Sequence, residues 1–385
     1  MSNNYAGLRA LTKLDPIAAK RCAERLIAIR ASLEPVRANK NDGTLLLATW
    51  NIRDFDSNKF GFGPRLPESF YYLAEMISAF DLVALQEINR DLTALEKIMR
   101  ILGREWDYIA TDTSGNDERM VFVYNTEKVW FRKIAGEIVL PEGQLVVAHK
   151  KVKSADKLDE GAAAAKLAAA TKAEFTEVKQ QFARTPFLVA FQSGWFRFSL
   201  CTVHIYYGEA SGMALKQRVD EIRKLVGFFA ERQDKASKQE KDRAGNVENY
   251  ILLGDFNVVS PKHETMEALK DKGFAIPPEI DGDTVRKKGD HYYDQMAVRV
   301  KDKRFKVFKG GMVDMYADVF RETPEDLAIY KAAMPAEDPE KKAKAKTPEA
   351  LYRKWRTWQM SDHHPLWIAI KTDFADDYLT EIAKA

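Results

Sequence analysis

The chain has 385 residues, 45% of them hydrophobic, with 60 basic and 57 acidic side chains and a formal net charge of +3. Such length and apolar content suit one large α/β domain with decorations, and the near balance of charge excludes a polyanion-binding surface spread over the whole molecule, so any such site must be local. The only cysteines, Cys22 and Cys201, match no zinc or redox spacing, no stretch approaches the roughly 20 apolar residues of a membrane span, and the N-terminus lacks a basic start with an apolar core; a cytoplasmic protein with free thiols is expected.

In chain order, residues 15 to 38 alternate apolar and charged positions at helical spacing behind Asp15-Pro16, which predicts an amphipathic helix within an N-terminal extension, 1–43. Asn41-Asp42-Gly43 marks a turn, and Leu45 to Ile52 a first strand that delivers Asn51 and Arg53. A helix over 67–80 leads to the apolar run Leu82 to Leu85, which stops at Gln86-Glu87. A helix over 91–103 and strands near Trp106 to Ala110 and Met120 to Tyr124 follow, with Glu118 in the polar connection between those two strands.

Residues 150–180, with seven lysines and five acids amid alanines, predict an inserted solvated helix, a nucleic-acid arm being the alternative. The core resumes after Arg184-Thr185-Pro186, and a strand from Phe196 ends at His204 before a helix over 213–231. Tyr250 to Leu253 then reads as a buried strand, with Gly254 turning the backbone so that Asp255 and Asn257 share a face while Phe256 packs inward. A second polar insertion, 321–354, closes with Tyr352-Arg353-Lys354-Trp355-Arg356-Thr357-Trp358, which suits a phosphate backbone with stacked bases, or equally a half-buried strand with long charged stems. Residues 373–385 form a tail.

Asn51, Glu87, Asp255, Asn257 and Asp362 are oxygen donors at separated strand ends, a set that suits a hard cation such as Mg²⁺ rather than zinc. His204 and His363 stand where strands meet loops among those acids, with Glu118 and Asp294 as carboxylates able to fix their tautomers. Singly, each has a plain structural reading: a turn for Asp-Phe-Asn, a helix cap for Glu87, a loop pair for His363-His364, a surface cation for Arg184. Together, oxygen donors and paired imidazoles point to phosphoryl chemistry. The readings of His263, His291, His364 and Arg53 stay open, and Arg119 reads as structural.

Trp50-Asn51-Ile52-Arg53, Gln86-Glu87, Gly254-Asp255-Phe256-Asn257, Tyr293-Asp294-Gln295 and Ser361-Asp362-His363-His364-Pro365 resemble, in order and spacing, the signature blocks of the endonuclease/exonuclease/phosphatase superfamily, and His204 favours its deoxyribonuclease I branch. The resemblance implies an α/β fold over 44–372, two packed β-sheets flanked by helices as a four-layer sandwich. It implies a metal-dependent phosphoester hydrolase using Mg²⁺, with Mn²⁺ as a substitute, and a DNA endonuclease of little sequence specificity. In the implied roles, Asn51, Glu87 and Asp362 hold the metal, Asp255 orients or deprotonates water, and Asn257 binds phosphoryl oxygens. His204 and His363 flank the phosphate, oriented by Glu118 and Asp294, while Arg184 and Arg53 contact substrate. That branch usually has a groove-contacting tyrosine where Asn116 stands. Hydrolysis of small-molecule or lipid phosphates, and a non-catalytic binding module, are the alternatives.

Overall fold

Runs of apolar residues rich in Leu, Val, Ile and Phe build strands buried on both faces. The computed structural model describes residues 3–151, 175–239, 248–282, 292–341 and 347–384, and its strands assemble into two main sheets. One contains β1 (Thr44–Phe55), β2 (Leu82–Asn89), β3 (Trp106–Ala110), β4 (Glu118–Asn125), β12 (Val307–Met312) and β13 (Leu366–Lys371), in the order β12-β13-β1-β2-β4-β3. The other contains β5 (Trp130–Glu137), β8 (Phe187–Ser193), β9 (Phe196–His204), β10 (Tyr250–Asp255) and β11 (Asp294–Arg299), in the order β11-β10-β9-β8-β5. Each sheet has one parallel pair, β1 with β2 and β9 with β10, flanked by antiparallel partners. The two mixed sheets face each other, with helices outside.

Alternation along β1 divides the core. Leu45 and Leu47 join Phe122, Phe191 and Leu253 between the sheets, whereas Leu46, Ala48, Trp50 and Ile52 face a helical layer containing Tyr72 and Trp355. Burying each such side chain contributes about 1.5–3 kcal/mol before entropy is counted. The outer face of the second sheet carries α6 (Gly212–Gln239) and α7 (Glu264–Leu269), whose Val219, Ile222, Phe229 and Met266 lie in the inter-sheet cluster's continuation. Among the described residues no helix is long and apolar enough to cross a membrane.

The N-terminal helices are α1 (Ala6–Leu14), α2 (Pro16–Ser32) and α3 (Glu34–Arg37). The single helix expected over 15–38 is therefore divided, with Leu33 between the pieces and Pro35 in the first turn of α3. Asp15 caps α2 by accepting from the Ala18 N–H. Cys22, Leu26 and Ile29 are buried, while Ile17 and Ile27 project to solvent. Arg21 reaches Glu68 through two 3.0 Å bonds, and Arg37 reaches Glu75 at 2.5 Å, tying α2 and α3 to α4 (Pro67–Ile77).

Both insertions differ from expectation. The flanks of 150–180 are not helical: β6 (Val146–Lys151) pairs antiparallel with β7 (Phe175–Gln180), and the helix expected between them falls on residues 152–174, outside the described residues. In 321–354 the segment folds as α8 (Pro324–Tyr330) and the start of α9 (Pro348–Gln359), so the closing stretch that the alternative reading took as a half-buried strand is a helix. Tyr352, Trp355 and Trp358 are all buried, since a spacing of three places them on one helix face. The expected tail includes α10 (Ala375–Lys384).

Candidate active site

Register brings the chemistry together. At the end of β10, Asp255 lies opposite His204 on β9 and opposite Asp294 on β11. At the end of β1, Asn51 lies opposite Gln86, next to Glu87. The two strand ends meet across the sandwich: Asn51 Nδ2 donates to Glu87 Oε1 at 2.8 Å and to Asp255 Oδ2 at 3.2 Å. Beneath them, buried Gln86 donates to Thr49 Oγ1 at 3.1 Å and to Thr202 Oγ1 on the opposing sheet at 2.8 Å. Fully satisfied, such a buried polar link fixes one sheet's position against the other.

Each histidine also pairs across the sandwich. His204 Nδ1 is 2.8 Å from Glu118 Oε2 on β4, and His363, just before β13, has Nδ1 2.7 Å from Asp294 Oδ2. With Nδ1 engaged, both rings turn Nε2 towards one atom, Asp255 Oδ2, at 3.6 Å for His204 and 3.8 Å for His363. His204 Nε2 is also 3.9 Å from Glu87 Oε1. Asn51, Glu87, His204, Asp255, His363 and the orienting carboxylates Glu118 and Asp294 thus converge, as the sequence predicts.

Burial works against charging both imidazoles, but their carboxylates outweigh it: the pKa of His204 is raised by Glu118 and Asp255, and that of His363 is raised well above the usual value by Asp294, Asp255 and Asp362. Burial pushes the Glu118 carboxyl up, yet His204 and Arg184 together hold it down at about 2.

Other expected residues sit differently. The Arg184 guanidinium is bound to Glu118, Nε to Oε2 at 2.9 Å and Nη2 to Oε1 at 3.4 Å, so it stands behind the His204 pair and not free at a substrate oxygen. Arg53 lies 3.9 Å from the Trp358 ring centroid, donates to Thr357 Oγ1 at 2.5 Å and pairs with Asp362 at 3.4 Å. The Asp362 side chain is 43% exposed and turned to that guanidinium. Gly254 makes no turn: it continues β10 at φ +133, where a Cβ would strike the Val203 carbonyl. Asn257 does not share a strand face with Asp255, because its backbone is left-handed, φ 51; its N–H donates to Asp255 Oδ1 at 2.9 Å and its Nδ2 to the Ile205 carbonyl at 2.7 Å. That amide nitrogen is committed to holding the β9 loop.

Three supports escaped the sequence reading. Ser361 Oγ donates to the Asn51 carbonyl at 2.6 Å and accepts the His363 N–H at 3.0 Å, locking the two segments together. The Asp54 N–H donates to Glu87 Oε2 at 3.0 Å. Arg218 on α6 donates to the Asn257 carbonyl at 3.1 Å. A serine directly before Asp-His, and an arginine on the apolar face of a helix, are the signals that could have found two of them. His263 caps α7 through its Nδ1, 3.3 Å from the Thr265 N–H, and His364 Nδ1 is 3.0 Å from the Val313 carbonyl, both structural placements. Arg119 donates to the Thr111 carbonyl at 2.6 Å; His291 lies outside the described residues.

The donor set fits a hard divalent cation. Asn51 Oδ1 is buried without a hydrogen-bond partner, on an amide whose nitrogen already bridges the Glu87 and Asp255 carboxylates. The carboxylates beside that oxygen are those of Glu87 and Asp255, and among the described residues no group of three His, Cys, Asp or Glu side chains is arranged to hold a metal.

No family model and no curated protein matches the chain. Solved structures similar to it include an endonuclease/exonuclease/phosphatase family protein from Bacteroides thetaiotaomicron, at 18% identity over 86% of this chain and 98% of that one, TM-score 0.46. A mannosyl-6-phosphatase from Bacteroides thetaiotaomicron VPI-5482 gives 18% identity over 85% and 99%, TM-score 0.45. TDP2 from D. rerio, complexed with single strand DNA product, gives 12% over 86% and 100%, TM-score 0.44. At such identities and TM-scores the likeness assigns no activity.

Proposed function

We propose that the chain is a Mg²⁺-dependent phosphodiesterase of the endonuclease/exonuclease/phosphatase type, cutting DNA with little sequence preference. The observation that carries this reading is the convergence of two carboxylate-oriented imidazoles on Asp255 Oδ2, at 3.6 and 3.8 Å. A phosphoryl group seated between the rings meets two N–H donors where negative charge develops. The Asp255 carboxylate, held by the Asn257 N–H and the Asn51 amide, orients the attacking water and accepts its proton. An imidazolium gives its Nε2 proton to the departing oxygen, and its paired carboxylate stabilises the charge on the ring beforehand. Asn51, Glu87 and Asp255 would hold Mg²⁺, which neutralises charge on the phosphoryl oxygens when bound.

DNA as substrate is supported by the half-exposed rings of Phe60 and Tyr207 and by Lys59, 5.1 Å from the Phe60 ring. A second reading, hydrolysis of small or lipid phosphates, is favoured by one observation: Arg53, Arg184 and the aromatic side chains of α9 are taken up inside the protein. Purified protein with Mg²⁺ is expected to nick supercoiled plasmid, and to stop doing so with chelator or in Asp255→Ala. Intact plasmid beside rapid turnover of an inositol or sugar phosphate would establish the second reading; metal binding without any phosphoester turnover would leave a binding module.

A further inference from the structure

Arg218 is fully buried, and among the described residues no carboxylate touches it, the Asp255 charge acting on it only from farther off. Burying a cation without a counter-charge is costly, so what it holds is informative. Its N–H groups donate to three backbone carbonyls: Tyr207 at 3.1 Å, Glu209 at 2.7 Å and Asn257 at 3.1 Å. Two loops leaving adjacent strands, one past His204 and one past Asp255, are thereby joined through a single side chain. The guanidinium also lies 4.4 Å from the Tyr207 ring centroid, so it fixes that ring as well as its backbone.

Tyr207 is 42% exposed although so restrained. Its ring meets that of Tyr293 edge-on at 6.2 Å and 70°, and Tyr293 lies 5.9 Å from the His363 ring. The three rings form a wall running outward from the proposed phosphate position. A ring fixed before binding loses little entropy when another ring stacks on it, and a π-face accepts any base.

We propose that Tyr207 is a substrate-contacting, specificity-determining residue that stacks on the base of a nucleotide next to the cleaved phosphate, with Arg218 as the positioning residue behind it. The assignment rests on the nucleic-acid reading above. Two oligonucleotides, each with one cleavable linkage, test it: one carries bases on both flanking nucleotides, and the other carries tetrahydrofuran sugars there without bases. Tyr207→Ala is expected to raise KM about tenfold on the first, with kcat within about twofold and no change on the second, as loss of one base–aromatic stack predicts. Tyr207→Phe and Tyr207→Trp are expected to keep the wild-type KM. An equal loss on both oligonucleotides, or none on either, overturns the stacking role while leaving the nuclease reading in place. Wild-type protein that cuts neither oligonucleotide but hydrolyses a phosphomonoester overturns the nuclease reading and this assignment with it.

Discussion

The two histidine–carboxylate pairs are built alike yet stand in different fields. Each spans the sandwich, His204 from the second sheet to Glu118 in the first, His363 from the entry to β13 of the first to Asp294 in the second. Behind Glu118 stands the Arg184 guanidinium, which opposes protonation of His204; the groups raising His363 are the acids Asp294, Asp255 and Asp362. One motif thus yields two imidazoles of unequal proton affinity, and unequal pairs are how a site divides acid from base work. His363 is the ring that stays charged to higher pH.

Removing what the pairs share should have the largest effect. Asp255→Asn is expected to lower single-turnover phosphoester hydrolysis by about 10³-fold or more, because both rings lose the carboxylate they face and the water loses its base. Next, His363→Asn and His204→Asn should each cost about 10²–10⁴-fold in kcat, with different pH profiles. Activity left in the His204 variant should persist to higher pH than that left in the His363 variant, since His363 holds its proton longer. If the two alkaline limbs exchange places, the asymmetry is wrong.

On the His204 side stands a further buried carboxyl. Glu221 is fully buried, accepts the Ala183 N–H at 3.3 Å beside Arg184, and is pushed by burial from 4.5 up to about 7. Because its folded pKa is raised, the protonated form is favoured in the fold: its stability is fully present below about pH 4.5 and is lost as pH rises towards 7. The displacement corresponds to roughly 3 kcal/mol, and Glu221→Gln, which keeps the acceptor, should remove that loss in denaturant titrations run from pH 4 to 8. Glu118 runs oppositely. Its carboxyl is held down at about 2, so its contribution is present above pH 4.5 and is lost as pH falls towards 2.

The smallest effect sharpens the comparison most directly. Arg184→Gln should reduce kcat by no more than about tenfold, the loss of the charge-assisted pairing with Glu118. The His204 imidazole, followed by NMR, should then titrate at higher pH while His363 stays where it was. A downward movement would show that Arg184 supports the His204 charge through Glu118 more than it repels it.

Much of the centre was legible because its chemistry must stand at strand ends. Asn51, Glu87, His204 and Asp255 follow apolar runs that have to be strands, and parallel pairing then carries their ends to one edge. What stayed hidden depends on partners that no local pattern names. Asp362 reads as a ligand until Arg53 is found 3.4 Å away, and Asn257 reads as outward until its left-handed backbone turns its amide to Ile205. The basic aromatic run in α9 resembled a nucleic-acid surface because composition is visible before orientation is. Its spacing, Tyr352, Trp355 and Gln359, already marked one buried helix face.

β13 pairs with β1, although one is laid down near the start of the sandwich and the other after every other strand. The β9–β10 pair carries His204 and Asp255, and β1 has β2 as its parallel neighbour, but His363 is supplied only where the chain enters β13. The two imidazoles therefore face one carboxylate only once β13 has closed against β1, so the geometry around Asp255 is completed by the last of the described strands.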